Sequence, residues 1–267
     1  MVLETGHTPN RRSAEPALGQ SRPIPRLPTE DELSAVVGFD DPTEFFEAVL
    51  GLVELLSGNG EFVIGREEFF WKTGKVFVDD PFYEERTNYF LTHFFFARPL
   101  SSDPKVDMSY QMLTPLEGLR LLCDKYATTE VTTLASRLAE LEHYEHGIYQ
   151  ILKGGDTVIT VRNLITDTKT SLSARPGTSF VGLRAKEIFQ GFVAPYQGTL
   201  FLFPGIIIHP GTSTRTVKRY LKSARKRESF DLGSVLYRLA SVQLKHCRHK
   251  HVTPKKIYDA ELILPKG

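Results

Sequence analysis

The chain has 267 residues, with 41% apolar and 24% charged side chains and 33 Lys and Arg against 32 Asp and Glu. This is the composition of a soluble globular protein with enough length for one large domain or two modest ones. Two cysteines, neither in a CxxC pair, exclude a disulfide framework, and no segment reaches the roughly 18 to 20 apolar residues of a membrane span.

The near-neutral total conceals a division along the chain. Residues 29–100 hold 15 Asp and Glu against 5 Lys and Arg, whereas residues 211–256 hold 13 Lys and Arg against 2 acids. An acidic face and a basic face follow from such asymmetry. Residues 1–28, with Arg, Pro and Ser but no apolar core, read as a disordered tail without a signal peptide. With the sparse cysteines, this predicts a cytoplasmic protein.

Residues 29–146 read as an acidic helical region. Asp41 and Pro42 open an amphipathic helix in which Phe45, Phe46, Val49, Leu50, Val53 and Leu56 recur at helical spacing until Gly58. Glu67 to Lys72 reads as a helical turn and Lys75 to Val78 as a short strand. Asp80 and Pro81 predict the start of a second helix ending before Pro99, and a loop rich in Ser, Asp and Pro follows it. Thr114, Pro115 and Glu117 form a capping-box pattern, and the helical period extends to about His146.

The period then changes from 3.6 to 2. Residues 147–210 contain β-branched and aromatic runs separated by GGD, TDT, RPG and YQG, which predict about five strands and a small SH3-like or OB-like β-barrel. Residues 211–267 read as a basic helical region. Ser213 or Thr212 caps a helix ending near Ser229, Asp231 caps another, and Pro254 stops it. The fold class is therefore α+β, with a helical N-terminal half, a barrel and two C-terminal helices.

The order of these parts resembles a group of uncharacterised bacterial proteins, some of which end in a SEC-C zinc-binding tail. The likeness is carried by FYEERTNYFLTHFFFARPL with TPLEGL, by VRNLITDTKTSLSARPGTSFVGLRAKEIFQGFVA, and by YRLASVQLKHCRHKHVTPKKIY. It implies this layout and a bacterial cytoplasmic origin. The cysteine-rich tail is absent from these residues, and the matching segments are packing patterns that carry no activity.

Function is sought in the constellations. On a helical wheel, Arg215, Lys218, Arg219, Lys222, Arg225 and Lys226 share about 120° of arc opposite Val217, Tyr220, Leu221 and Ala224. Arg238, Lys245 and Arg248 line the solvent side of the last helix. Cations so crowded repel one another unless an anion faces them: nucleic-acid phosphates, an acidic partner protein, or the chain's own acidic half. Arg162, Lys169, Arg175, Arg184, Lys186 and Tyr196 of the barrel add candidate contacts.

The stretch LKHCRHKHV lacks zinc spacing, since His249 and His251 diverge by about 160° on a helix, and Cys247 falls on the apolar side. Glu140 with His143 and His146 imitates half of a metal site without completing one. Glu67-Glu68, Asp79-Asp80 and Glu84-Glu85 diverge or serve as caps, and no P-loop, GxSxG or GxGxxG occurs. The sequence thus predicts a non-enzymatic protein without cofactor or metal that contacts RNA or DNA backbone through its basic helix. The alternatives are an adaptor for an acidic partner and a metal-dependent hydrolase using His143 and His146.

Overall fold

The computed structural model of the chain describes residues 26–100, 112–126 and 128–263, so most of the expected tail and the Ser-Asp-Pro loop lie outside the described residues. Helix α1 (Glu30–Ala35) opens with a Thr29/Glu32 capping box. Helix α2 (Pro42–Thr73) is capped by Asp41, which accepts from the N–H groups of Thr43 and Glu44. The expected stop at Gly58 is instead a bend: helix continues to Thr73, but its axis turns by 108° between Ser57 and Gly60. No single described helix is long and apolar enough to cross a membrane.

Lys75 to Val78 forms no strand, and Asp80 does not cap a helix. Its carboxylate accepts from Phe77 N and Arg248, so the chain turns at Asp80 and α3 (Tyr83–Ala97) begins three residues later. Helix α4 (Pro115–Cys123) has the expected Thr114/Glu117 capping box, and α5 (Thr129–Leu141) follows. Helix α5 ends before HYEH, because Glu145 and His146 are already paired with Val193 and Phe192 as strand residues.

Strands β1 (Glu145–Lys153), β2 (Val158–Asn163), β3 (Lys169–Ser173), β4 (Ile188–Tyr196) and β5 (Thr199–Leu202) form the ring β1-β2-β3-β5-β4, closed by β4 on β1. The β3–β5 contact is parallel and the others are antiparallel. This Greek-key order is that of an OB-type barrel and decides between the two expected forms. Closure also pairs both sides of the apolar LFLF run, which would otherwise be an adhesive edge. A sixth strand, β6 (Ile207–His209), joins β4 at Ile188–Gln190, where β5 no longer reaches. The expected C-terminal helices form as α6 (Thr214–Ala224) and α7 (Leu232–Arg248), and Pro254 also starts a short further helix, α8 (Pro254–Leu262).

Strand β4 organises the packing. Phe189 and Val193 enter the barrel beside Tyr149, Ile151 and Val161, while Phe192 and Ala194 join the helical core with Phe94, Phe96 and Leu134. Ile188 instead meets Val217, Leu221 and Leu239 from the C-terminal helices. Between these apolar clusters runs a buried polar chain. The Tyr258 hydroxyl donates to His209 Nδ1 (2.8 Å), His209 Nε2 to Gln190 Oε1 (3.2 Å), Gln190 Nε2 to the Tyr89 hydroxyl (2.8 Å), and that hydroxyl to His146 Nε2 (2.6 Å). The donor sequence is complete only with both histidines neutral. Burial supplies that condition, lowering His209 to about 3, with Arg86 adding to the effect, and His146 well below its ordinary value.

Gly205 fixes how the helical half seats on the barrel. Its φ is +80°, and a Cβ there would lie 1.9 Å from Tyr89 N, so the α3 backbone rests directly on it. Thr92 adds a hydrogen bond to the neighbouring Pro204 carbonyl at 3.0 Å. Gly205→Ala is expected to cost at least about 2 kcal/mol through the left-handed backbone and the clash with α3; urea denaturation would measure it as a lower midpoint with soluble yield reduced.

Acid should also weaken the fold. His93 (lowered to about 4) and His209 (about 3) stay neutral when folded but take protons near their ordinary 6.5 when unfolded. The unfolded state then binds more protons, so stability is full above about pH 6.5 and declines as pH falls toward the folded values. Each histidine should remove about 2 kcal/mol between pH 7 and pH 5, measurable as a falling denaturation midpoint with the pH taken down in steps.

Candidate functional site

Helix α6 is held by its narrow apolar stripe. Val217, Leu221 and Ala224 are buried against Ile148, Ile188 and Leu239, and Thr216 donates to Asp259 on α8 at 2.6 Å. Neither Thr212 nor Ser213 caps it; the Ser213 hydroxyl bonds the Pro210 carbonyl within a short turn, and the helix ends at Ala224, short of Ser229. Burying one stripe turns Arg215, Lys218, Arg219 and Lys222 to solvent, whereas Arg225 and Lys226, expected on the same helix, stand in the turn after its end; all six are exposed.

The countercharge expected from the acidic half does not arrive there. Arg219 meets Asp259 at 3.2 Å, Lys218 donates to Gln150 Oε1 at 2.7 Å, and Arg225 donates to the Leu164 carbonyl. The side chains of Arg215, Lys222 and Lys226 have no hydrogen-bond or ion-pair partner among the described residues. Asp259 lies on α8, which was invisible to the sequence reading because Pro254 was taken only as a stop. Its carboxyl is held below the usual range first by the Thr216 hydroxyl and then by Lys255 and Arg219.

The α7 cations stand differently. Arg238 and Lys245 both bind Glu261, the former at 2.7 Å, and Arg248 binds Asp80 at 2.9 Å and the Lys75 carbonyl at 2.6 Å. The Lys245 hydrogen bond is the largest influence lowering the Glu261 carboxyl. These three are tied to the protein's own carboxylates, so the open positive strip is the α6 strip.

Among the barrel candidates, Lys169, Arg184 and Lys186 are exposed and Arg162 is half-exposed. Arg175 instead donates to Thr43 at 3.0 Å, and Tyr196 is 2% exposed with its hydroxyl bonded to the Phe39 carbonyl and to Arg137. Tyr196 is therefore closed to a base, while Arg175 is half-exposed with one guanidinium nitrogen engaged. Cys247 is half-buried, and its sulfur accepts from Gln243 at 3.3 Å. Because α7 ends at Arg248, His249 and His251 escape the helical divergence and their rings come within 6.2 Å. No group of three or more His, Cys, Asp and Glu side chains converges as a metal site among the described residues.

Of the hydrolase candidates, His146 and Glu140 are engaged in the fold and His143 is not. His146 accepts from Tyr89 and stacks on Phe192 at 3.9 Å between ring centroids, His143 is exposed, and Glu140 accepts from Gln197 N (2.8 Å) and Gly198 N (2.6 Å) to hold the β4–β5 turn. Several cavities were not foreseen, among them two that flank the second arm of α2. One of about 430 Å³ is a groove along the second arm of α2, lined by Val63, Phe70 and Val76 beside Trp71, which is 85% exposed. The other, about 300 Å³, is bordered by Glu68, Lys72, His93, Arg98 and Tyr237. There Arg98 is shared between Glu61 (2.9 Å) and Glu68 (3.3 Å), and Tyr237 donates to His93 Nε2 at 2.6 Å. Comparisons with protein-family models, with curated proteins and with solved structures found no match.

Glu261→Gln tests the claim that the α7 cations are internally committed. Losing the charge that holds Arg238 and Lys245 should cost about 1 kcal/mol or less, as half-exposed pairs do, and the loss should vanish in concentrated salt; paired urea titrations at low and high salt would measure it.

Proposed function

We propose that the protein is a non-enzymatic binding protein whose α6 contacts the phosphate backbone of RNA or DNA. The supporting observation is the state of Arg215, Lys222 and Lys226: three exposed cations, two on α6 and one in the turn that follows it, none answered by a described carboxylate. Holding like charges together on a short helix is unfavourable in isolation. A phosphate chain relieves the repulsion, and each neutralised phosphate releases condensed counterions, so binding gains entropy. Lys218, Arg219 and Arg225 extend the strip while also fastening it to the barrel and to α8. The folded body needs none of the three unpaired charges, so the strip is a surface that can be changed without disturbing the core.

The test is fluorescence anisotropy with labelled mixed-sequence RNA and DNA across a salt series. Affinity should fall with a log–log slope of about −0.9 per contacted phosphate on a duplex, and the Arg215→Glu, Lys222→Glu, Lys226→Glu triple variant should fold normally and bind at least about tenfold more weakly. Failure of the wild type to bind at low salt, or unchanged affinity in the triple variant, would sink this function; capture of an acidic protein by the wild type alone would then favour the adaptor.

A further inference from the structure

The positive surface does not stop at α6. Thr214 Oγ1 donates to the Lys186 carbonyl (3.3 Å), Lys218 Nζ to Gln150 Oε1 (2.7 Å), and Arg225 to the Leu164 carbonyl, so the helix lies along the outside of β1. Gln150 on β1 stands directly opposite Arg162 on β2, and Arg162 directly opposite Lys169 on β3. Directly opposed residues of antiparallel strands share a face, with strands about 4.8 Å apart. Arg162 and Lys169 therefore continue outward from the point where Lys218 is anchored. Lys186, also exposed, sits beside that anchor, because Gln150 Nε2 reaches its carbonyl at 3.5 Å.

Like charges directly opposed in a sheet are destabilising. Asp167, in the β2–β3 turn, approaches Arg162 at 3.5 Å, but its side chain is 79% exposed, and the Lys169 ammonium has no hydrogen-bond or ion-pair partner among the described residues. The arrangement is one that an external polyanion would relieve. The outward side chains of these strands include Gln150, Leu152, Val158, Thr160, Arg162, Lys169 and Ser171, none of them aromatic; Tyr196 is enclosed, and Tyr220 of α6 packs against the apolar cluster of the C-terminal helices. Proteins that hold single strands pair a positive groove with aromatic platforms for the bases. A face of cations and small polar groups with the aliphatic Leu152 and Val158 has no aromatic platform for bases, so what it offers a nucleic acid is charge, and backbone charge is densest on a duplex, at one charge per about 1.7 Å of axis.

The geometry points to double-stranded nucleic acid as the ligand, its phosphates tracking from α6 past Gln150 onto Arg162 and Lys169 without contact to base faces. This inference rests on the reading that α6 binds a phosphate backbone. Four probes of equal length decide it: duplex DNA, duplex RNA and the corresponding single strands, each titrated with salt against wild type, the α6 triple variant and an Arg162→Gln, Lys169→Gln double variant. Wild type should bind at least one duplex about tenfold more tightly than either single strand, independent of sequence. The double variant should keep or slightly raise its melting temperature, since a like-charge pair is removed, while its salt slope shrinks by about 2, roughly 0.9 for each lost contact.

Equal or tighter binding of single strands overturns the inference. So does an unchanged slope in the double variant when the α6 variant has lost binding, a result that leaves the α6 reading intact. Absence of binding to any probe overturns both. A preference for duplex DNA over duplex RNA, or the reverse, supports the inference and identifies which backbone is taken.

Discussion

A strand with protein on both faces must satisfy its polar side chains internally, and Gln190 on β4 does so with both ends of its amide. The oxygen accepts from His209, and the nitrogen donates to Tyr89 and to the Leu236 carbonyl. Through these bonds the barrel is joined to α3, α7 and α8 at one place. Left unpaired at such depth, each of those groups would carry a desolvation cost of about 1–3 kcal/mol. Satisfying them specifies which helix faces dock and in what register, beyond what apolar contact alone would select.

That arrangement determines what the surface can offer. With the outer side of β4 covered by helices and the start of β1 covered by α6 to α8, the outward face of β2 and β3 and the solvent side of α6 remain exposed. The basic residues concentrate on this remainder because the carboxylates of the acidic half are engaged elsewhere or face away: Glu61 and Glu68 hold Arg98, Asp40 meets Arg137, and Asp80 meets Arg248. Charge segregation along the sequence thus becomes segregation in space, with α8 supplying the acids Asp259 and Glu261 that pin the margins of the basic surface.

Elements marked by local chemistry were legible in the sequence. Thr114 with Glu117 and Asp231 before Leu232 act through hydrogen bonds to residues two or three positions away, and both form as read. The α6 strip was legible for the same reason, since a wheel needs only the helical period. What escaped was set by distant partners. Asp80 has the neighbours of a helix cap but is drawn to Arg248, and HYEH has helical neighbours but pairs with β4. Proline at Pro254 reads as a terminator or as a first turn with equal local justice. Tyr196 looked like a stacking platform because nothing nearby in sequence reveals that Phe39 and Arg137 enclose it.

The groove on the second arm of α2 has a spectroscopic consequence. Trp71 is the sole indole in the chain and stands almost free of the core, whereas the buried aromatics are Phe and Tyr. Its emission will resemble that of the denatured chain and be readily quenched by solutes before any unfolding takes place. Tryptophan fluorescence is therefore a poor gauge of global melting for this protein, and a sensitive optical probe of whatever approaches that one arm.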